Sequence, residues 1–201
     1  MPVQTAVLAS GNKGKLEELD LLLAPMNFQL LPQSNYEITP ASETGDSFVE
    51  NALIKARHAS RLTSLPAFAD DSGLVVPSLD GAPGIYSARY AGPAASSQQN
   101  NLKLLEALSD SRSRHAYFYC VLVFLLHTHD PTPIVVSGEW HGRIAEEAKG
   151  DNGFGYDPIF IANDYEMTAA EMEPELKNRF SHRAIASANL IRSIQHRLGQ
   201  Q

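Results

Sequence analysis

Leu65-Pro66-Ala67-Phe68-Ala69-Asp70-Asp71-Ser72-Gly73-Leu74-Val75-Val76 sets two adjacent carboxylates between two apolar segments. The flanks, Leu65 to Ala69 and Leu74 to Val76, read as short buried strands. The acids then lie at a strand end or in the turn between strands. Adjacent side chains of an extended chain point to opposite faces. One Asp can therefore face a cleft while the other turns into structural hydrogen bonds. Asp-Ser-Gly is also ordinary turn chemistry, and alone it reads as a turn. Three further polar, glycine-rich clusters, each beside a predicted strand or helix end, raise the functional reading.

Toward the N-terminus, Ser47-Phe48-Val49-Glu50 is a capping-box pattern that opens a helix. Phe48, Ala52, Ala56 and Ala59 line its core face, while Asn51 and Lys55, four apart, share another face. Pro32 to Asp46 is a polar connection long enough to suggest a functional loop. Phe28 to Leu31 reads as a strand. A helix before it carries Leu16, Leu19 and Leu23 on its apolar face and Glu17, Glu18 and Asp20 on its wet one, with Pro25 at its end. Ala6 to Ala9 reads as the first strand.

Toward the C-terminus, Gly81 to Gly92 is a loop rich in turn formers. A helix from Ser97 to Leu108 uses Leu102, Leu105 and Leu108. Strands His115 to Leu126 and Ile134 to Ile144 flank Asp130-Pro131-Thr132-Pro133, consistent with an antiparallel hairpin. Gly150 to Pro158 is another loop, leading into Ile159-Phe160-Ile161. The last helix begins near Ser181, with Ala184, Ala188, Ile191, Ile194 and Leu198 as its buried stripe. Helices and strands alternate around a hairpin, so the architecture predicted is α/β with a mixed sheet.

A length of 201 residues favours a single domain over residues 1–201, and 43% hydrophobic residues suffice for a substantial core. The net charge of −7, without a long basic run, argues against nucleic acid or an anionic membrane as partner. The lone Cys120 sits in an apolar run, which suits a reducing cytoplasm and a buried, inert thiol. The N-terminus lacks the features of a signal peptide, and the apolar run Val121 to Leu126 is too short to span a bilayer.

Ser10-Gly11-Asn12-Lys13-Gly14-Lys15 joins a strand to a helix. Its glycines permit close backbone approach, and the helix start offers N–H groups to an anion. It is a plausible phosphate cradle, though such a stretch is more often a plain βα turn and lacks the P-loop pattern. Glu43 and Asp71 together could hold a hard cation, since magnesium takes one or two carboxylates and leaves its other positions to water and phosphates. Asp46 reads as a capping acid. Gly153-Phe154-Gly155-Tyr156-Asp157 offers a ring either to stack on a flat ligand or to plug a core. Lys177 to Arg183 is basic and opens the final helix. Basic residues there oppose the macrodipole, so an anionic ligand would help explain them. His115 and His141 read as paired structural residues.

The full set of clusters, in this order along nearly the whole chain, resembles the inosine/xanthosine triphosphate pyrophosphatases. These enzymes hydrolyse deaminated purine nucleoside triphosphates. The resemblance is carried by Ser10 to Lys15, Glu43-Thr44-Gly45, Phe48 to Ala56, Ala69 to Leu74, Gly81 to Tyr90, Gly153 to Pro158 and Ser181-His182-Arg183. It implies a homodimer of α/β subunits, each with a long twisted mixed sheet, flanking helices and two lobes around a central nucleotide cleft. It implies hydrolysis of ITP, dITP and XTP to the monophosphate and pyrophosphate with Mg2+, cleansing the nucleotide pool. Asp71 is then the general base and a magnesium ligand. Ser10, Gly11, Asn12, Lys13, Gly14 and Lys15 hold the triphosphate, helped by Lys55, and Ser72 enters the substrate site. Phe154, Gly155, Tyr156, Asp157, Lys177, His182 and Arg183 surround the nucleoside. Phe154 would stack, and the donors His182 and Arg183 would read the base.

Two other readings compete. One is a pyrophosphatase of related architecture acting on modified pyrimidine or methylated nucleotides. The other is a nucleotide sensor without turnover, which would have lost an acid or lysine of the set, and none is lost.

Overall fold

The computed structural model describes residues 4–24 and 28–197. Six strands form one mixed sheet: β1 (Gln4–Leu8), β2 (Phe28–Pro32), β3 (Ala67–Val75), β4 (His115–Leu125), β5 (Ile134–Ile144) and β6 (Phe160–Ala162), in the order β2-β1-β3-β4-β5-β6. β1 pairs in parallel with both β2 and β3, whereas β5 and β6 are antiparallel. Among the described residues five α-helices accompany them: α1 (Lys13–Leu23), α2 (Phe48–Thr63), α3 (Ser97–Ala107), α4 (Pro174–Phe180) and α5 (His182–Arg197). None is long and apolar enough to cross a membrane. Pro32 closes β2 without cost to the ladder, because β2 is an edge strand.

The chain divides into two compact units. One is drawn from Met1–Asp71, Cys120–Gly138 and Arg183–Gln201, the other from Ser72–Tyr119 and Glu139–His182. The first unit's core joins Ala6 and Leu8 of β1, Leu19 and Leu23 of α1, Phe68, Leu122 and Phe124 of the sheet, and Ala186, Leu190 and Ile194 of α5. Phe28, Phe68 and Phe124 pack ring on ring, with centroids 4.6 to 5.5 Å apart. Asp130 clamps the turn before β5. Its carboxylate accepts from the Leu126 and Thr132 backbone N–H groups and from Arg197. Burial pushes that carboxyl up, but these donors outweigh it and hold its pKa at about 2. The second unit's core gathers Leu74, Leu104, Leu108, Phe118, Trp140, Ile159 and Phe160.

Four expectations are corrected. Asp70 and Asp71 do not sit in a turn or at a strand end: β3 runs unbroken through them. β3 pairs with β1 only at Ala67 and Phe68 and runs on past the end of β1, and a lysine opposite each acid makes an extended path tenable there. α3 buries Leu104, and Leu105 and the capping Leu108 pack on the same core as expected, but Leu102 is exposed. Its inward face also carries Asn100 and Asn101, which bond the Ala88 and Gly155 carbonyls. α5 buries Arg183, Ala186, Ser187, Leu190 and Ile194 and exposes Ala188; Leu198 and Pro25 lie outside the described residues. Finally, Lys177, Asn178 and Arg179 do not open the last helix. They close a separate α4, whose end is marked by an extended Ser181. Basic groups in a last turn complement the macrodipole, so no anion is needed to explain them.

Candidate active site

The parallel strands set the position. The chain leaves β1 through α1 to β2 on one side and returns through α2 to β3 on the other. The C-terminal ends of β1 and β3 therefore flank a topological switch point, where open α/β sheets bind ligands. Ser10 to Lys15 follows the end of β1, and Ala9 N–H bonds the Phe68 carbonyl at 2.8 Å. Asp70 and Asp71 continue β3 from there.

Alternation along β3 divides the acids. Asp70 is fully buried. It accepts from Lys15 Nζ at 2.5 Å, from Arg183 Nε at 2.9 Å and from Cys120 Sγ at 3.2 Å. Burial alone would raise its carboxyl, but the Lys15 and Arg183 charges overcome it and hold it well below the usual range. Arg183 also ion-pairs with Glu18 of α1. Two cations thus balance two anions. Cys120 is a buried thiol, pushed well up by burial and by Asp70.

Asp71 takes the other direction, toward α2. Its Oδ1 lies 2.6 Å from Lys55 Nζ, which also reaches Glu43 Oε1 at 3.1 Å. Burial raises the Asp71 carboxyl and Lys55 only partly offsets this. Burial would lower the Lys55 ammonium, but Asp71 prevails and raises it. The Glu43 loop is held from α2. Asn51 Oδ1 accepts from Gly45 N–H at 2.9 Å, and Asn51 Nδ2 donates to the Gly45 carbonyl at 3.3 Å. A Cβ at Gly45 would lie 2.5 Å from Glu50 Cβ, so the loop packs against the helix only with glycine there. Ser47 caps α2, accepting from Glu50 N–H.

In the cradle, Ser10 is buried and accepts from Asn12 N–H at 3.2 Å. Asn12 caps α1, its Oδ1 accepting from Lys15 N–H at 3.1 Å. Gly11 is exposed and Gly14 half-buried in the first turn; the side chain of Lys13 is outside what the structure describes.

The second unit holds the other candidates. Asp157 Oδ2 accepts both Phe154 N–H and Lys177 Nζ at 2.8 Å, closing the Gly153–Asp157 stretch into a tight turn. Gly153, at φ +73°, leaves no room for a Cβ, which would stand 2.1 Å from that same oxygen. Lys177 Nζ lies 5.0 Å from the centre of the half-buried Phe154 ring, a cation–π distance. Asn101 Nδ2 donates to the Gly155 carbonyl, and the Tyr156 hydroxyl donates to the Ser87 carbonyl at 2.9 Å. His182 is buried and stacks on Phe118, with centroids 4.8 Å apart. Ser72 is half-buried on β3. His115 and His141 stack on each other at 5.7 Å on an exposed face.

The candidates thus fall into two sets. Ser10 to Lys15, Glu43, Lys55, Asp71 and Arg183 belong to the first unit. Ser72, Phe154 to Asp157, Lys177 and His182 belong to the second. The departure is Arg183, read beside the nucleoside as a donor to the base. Its guanidinium is 1% exposed and engaged by Asp70 and Glu18. Glu18, read as part of the wet face of α1, is its partner. Sequence reading also missed Asn51, Asn101 and the Tyr156 hydroxyl as groups that hold the site's loops. Asn51 at a capped helix start beside a glycine-containing acidic loop was the available signal. The Arg183–Glu18 pair left none.

Comparison with known proteins follows the same architecture. The chain is 54% identical over 194 residues to a dITP/XTP pyrophosphatase of Xanthomonas oryzae, covering 96% of each. It is 52% identical over 196 residues to one of Shewanella oneidensis, covering 97% of this chain and 96% of that protein. A HAM1 protein from Coxiella burnetii superposes with a TM-score of 0.90 at 45% identity, over 96% of this chain and 99% of the other. A nucleoside-triphosphatase, dITP/XTP pyrophosphatase from Mycobacterium abscessus gives 0.75 at 40% identity, over 92% and 97%. The sequence profile of the Ham1 family matches residues 6–193, and the chain belongs to that family.

Proposed function

We propose that this protein hydrolyses the deaminated purine nucleoside triphosphates ITP, dITP and XTP to the monophosphate and pyrophosphate, clearing them from the nucleotide pool. The observation that carries this reading is the near-full-length identity of 52–54% to relatives named dITP/XTP pyrophosphatase. The first unit supplies suitable chemistry. Release of pyrophosphate requires water to attack the α-phosphorus in line with the departing group, and such catalysis is positioning plus charge stabilisation. Asp71 orients that water and takes its proton, and a carboxylate made more basic by burial is better suited to do so. Lys15, Lys55 and the N–H groups of Gly11, Lys13 and Gly14 bind phosphate oxygens.

Magnesium fits the donor set. Glu43 and Asp71 come from separate segments, yet both reach one cationic nitrogen, that of Lys55. Two hard carboxylate oxygens are what magnesium takes from a protein. When bound, the ion supplies neutralising charge on phosphate oxygens and a more acidic water. Phe154 provides a stacking face for the base, while Asp157, Lys177 and His182 shape its surroundings. Arg183 acts through Asp70, as a positioning residue. The same reading places the enzyme in the cytoplasm as a homodimer; sedimentation of only a 22.0 kDa species would contradict the dimer.

The test is a substrate panel with Mg2+, scored for pyrophosphate: ITP, dITP, XTP, ATP, GTP and a pyrimidine triphosphate. Sites built on hydrogen bonds reject mismatched ligands by about 10^4-fold, so kcat/KM for the first three should exceed the rest by that order. Equal turnover of all six, or orthophosphate as the product, would sink the assignment. Preference for the pyrimidine would favour the related pyrophosphatase class.

A further inference from the structure

Lys55 stands where the reading above puts a metal. Its ammonium is 3.1 Å from Glu43 Oε1 and 2.6 Å from Asp71 Oδ1. The three groups come from a loop, a helix and a strand, and their meeting is built rather than incidental. One helical turn before Lys55, Asn51 grips both the backbone N–H and the carbonyl of Gly45, two residues beyond Glu43. Asn51 is 1% exposed, so this grip is fixed within the fold. Glu43 is therefore delivered to Lys55 by the backbone.

An ammonium and a hard divalent cation ask the same thing of a carboxylate. The ammonium sits about 2.7–2.9 Å from its oxygens, and magnesium about 2.0–2.1 Å from them. Both cannot occupy the space between one pair of carboxylates, and their charges repel. Lys55 has a long flexible stem and can move, whereas the two acids are anchored by loop and strand. We propose that Lys55 is the resident cation of the Glu43–Asp71 pair, and that metal entry evicts its ammonium from those carboxylates and releases it to phosphate. This rests on the reading of Glu43 and Asp71 as metal ligands. A lysine engaged by two carboxylates is a poor phosphate donor, and a released one is a good donor. Phosphate binding by Lys55 thereby becomes conditional on metal, a coupling that must run in both directions.

The experiment titrates the full chain with Mn2+ in the absence of nucleotide and follows free Mn2+ by electron paramagnetic resonance. Lys55→Met removes the competing charge and keeps much of the bulk. It should bind Mn2+ about tenfold more tightly than the parent, the order of one charge-assisted contact no longer broken on metal entry. Glu43→Gln and Asp71→Asn should each bind it more weakly. Unchanged binding in both of those variants would overturn the metal assignment itself, and this proposal with it. Weakened binding there, with equal or weaker binding in Lys55→Met, would overturn only the eviction: Lys55 would then hold the acids ready for the metal. A second measurement needs no variant. Acetic anhydride labelling of Lys55 in the parent, read by mass spectrometry, should rise on saturation with Mn2+. Constant or falling labelling counts against release.

Discussion

Asp71→Asn folds as stably as the parent and loses turnover by about 10^3-fold or more, within the range a positioned general base contributes. The two halves of this result have separate causes. Asp71 lies on an unbroken β3 with 7% of its surface exposed, and Lys55 is its ion-pair partner. An amide has no basic oxygen to take a proton from water and is a poor ligand for a hard cation. Stability runs the other way. Burial raises the Asp71 carboxyl despite Lys55. A carboxyl raised in the folded state is ionised at a net cost at neutral pH, and that cost falls away as pH drops from the folded pKa to the unfolded one. Replacing it with a neutral isostere removes the cost along with the ion pair. Thermal unfolding and kcat on the same magnesium-saturated sample check both halves. Near-normal turnover in the folded variant would remove Asp71 from the chemistry.

The sequence foretold the division between the acids, because adjacent residues of an extended chain must face opposite ways. Asp70 inward and Asp71 toward α2 is that rule at work. The Ala52, Ala56 and Ala59 face of α2 followed its capping signal in the same local way. What was not legible depends on partners far along the chain. Asp-Ser-Gly looks like a turn until the lysines from two distant helices are placed opposite Asp70 and Asp71. On α3 the inward face also carries Asn100 and Asn101 bonding distant carbonyls, so leucine spacing found Leu105 and Leu108 but wrongly included Leu102. The rotation of α5 is fixed by Arg183. Its partners lie 113 and 165 residues away, and no local pattern marks a basic residue for burial. Lysine and arginine are almost never fully buried unless paired, and the pairing partners were the missing information.

Arg183→Met destabilises the protein by about 3–5 kcal/mol, the cost of removing one partner from a buried ion pair. In the parent, Arg183 donates to Asp70 and Glu18 from a side chain that is 1% exposed. Methionine fills much of the volume but leaves Asp70 with Lys15 as its remaining cation among the described contacts, and leaves Glu18 facing an apolar group. The pH profile shows which charge is responsible. The Asp70 carboxyl is held well below its ordinary value of 3.8 in the parent. Its stabilisation is therefore complete above the unfolded pKa and is lost only as pH falls through the depressed folded one. Without Arg183 the effect of burial is opposed by less charge, the folded pKa rises, and acid unfolding begins at a higher pH. Asp70→Asn in the same background should restore part of the loss, because it removes the uncompensated charge. A double-mutant cycle should then show a coupling of about 1–3 kcal/mol between the two positions. The competing account, in which Arg183 reads the base, makes the opposite demand. It requires an Arg183→Met protein as stable as the parent, with ITP and XTP hydrolysis reduced far more than that of ATP or GTP. Denaturant unfolding of the single and double variants, with kcat/KM for the four substrates on each, separates the accounts. Parent-like stability with selective loss of ITP and XTP turnover would return Arg183 to the base.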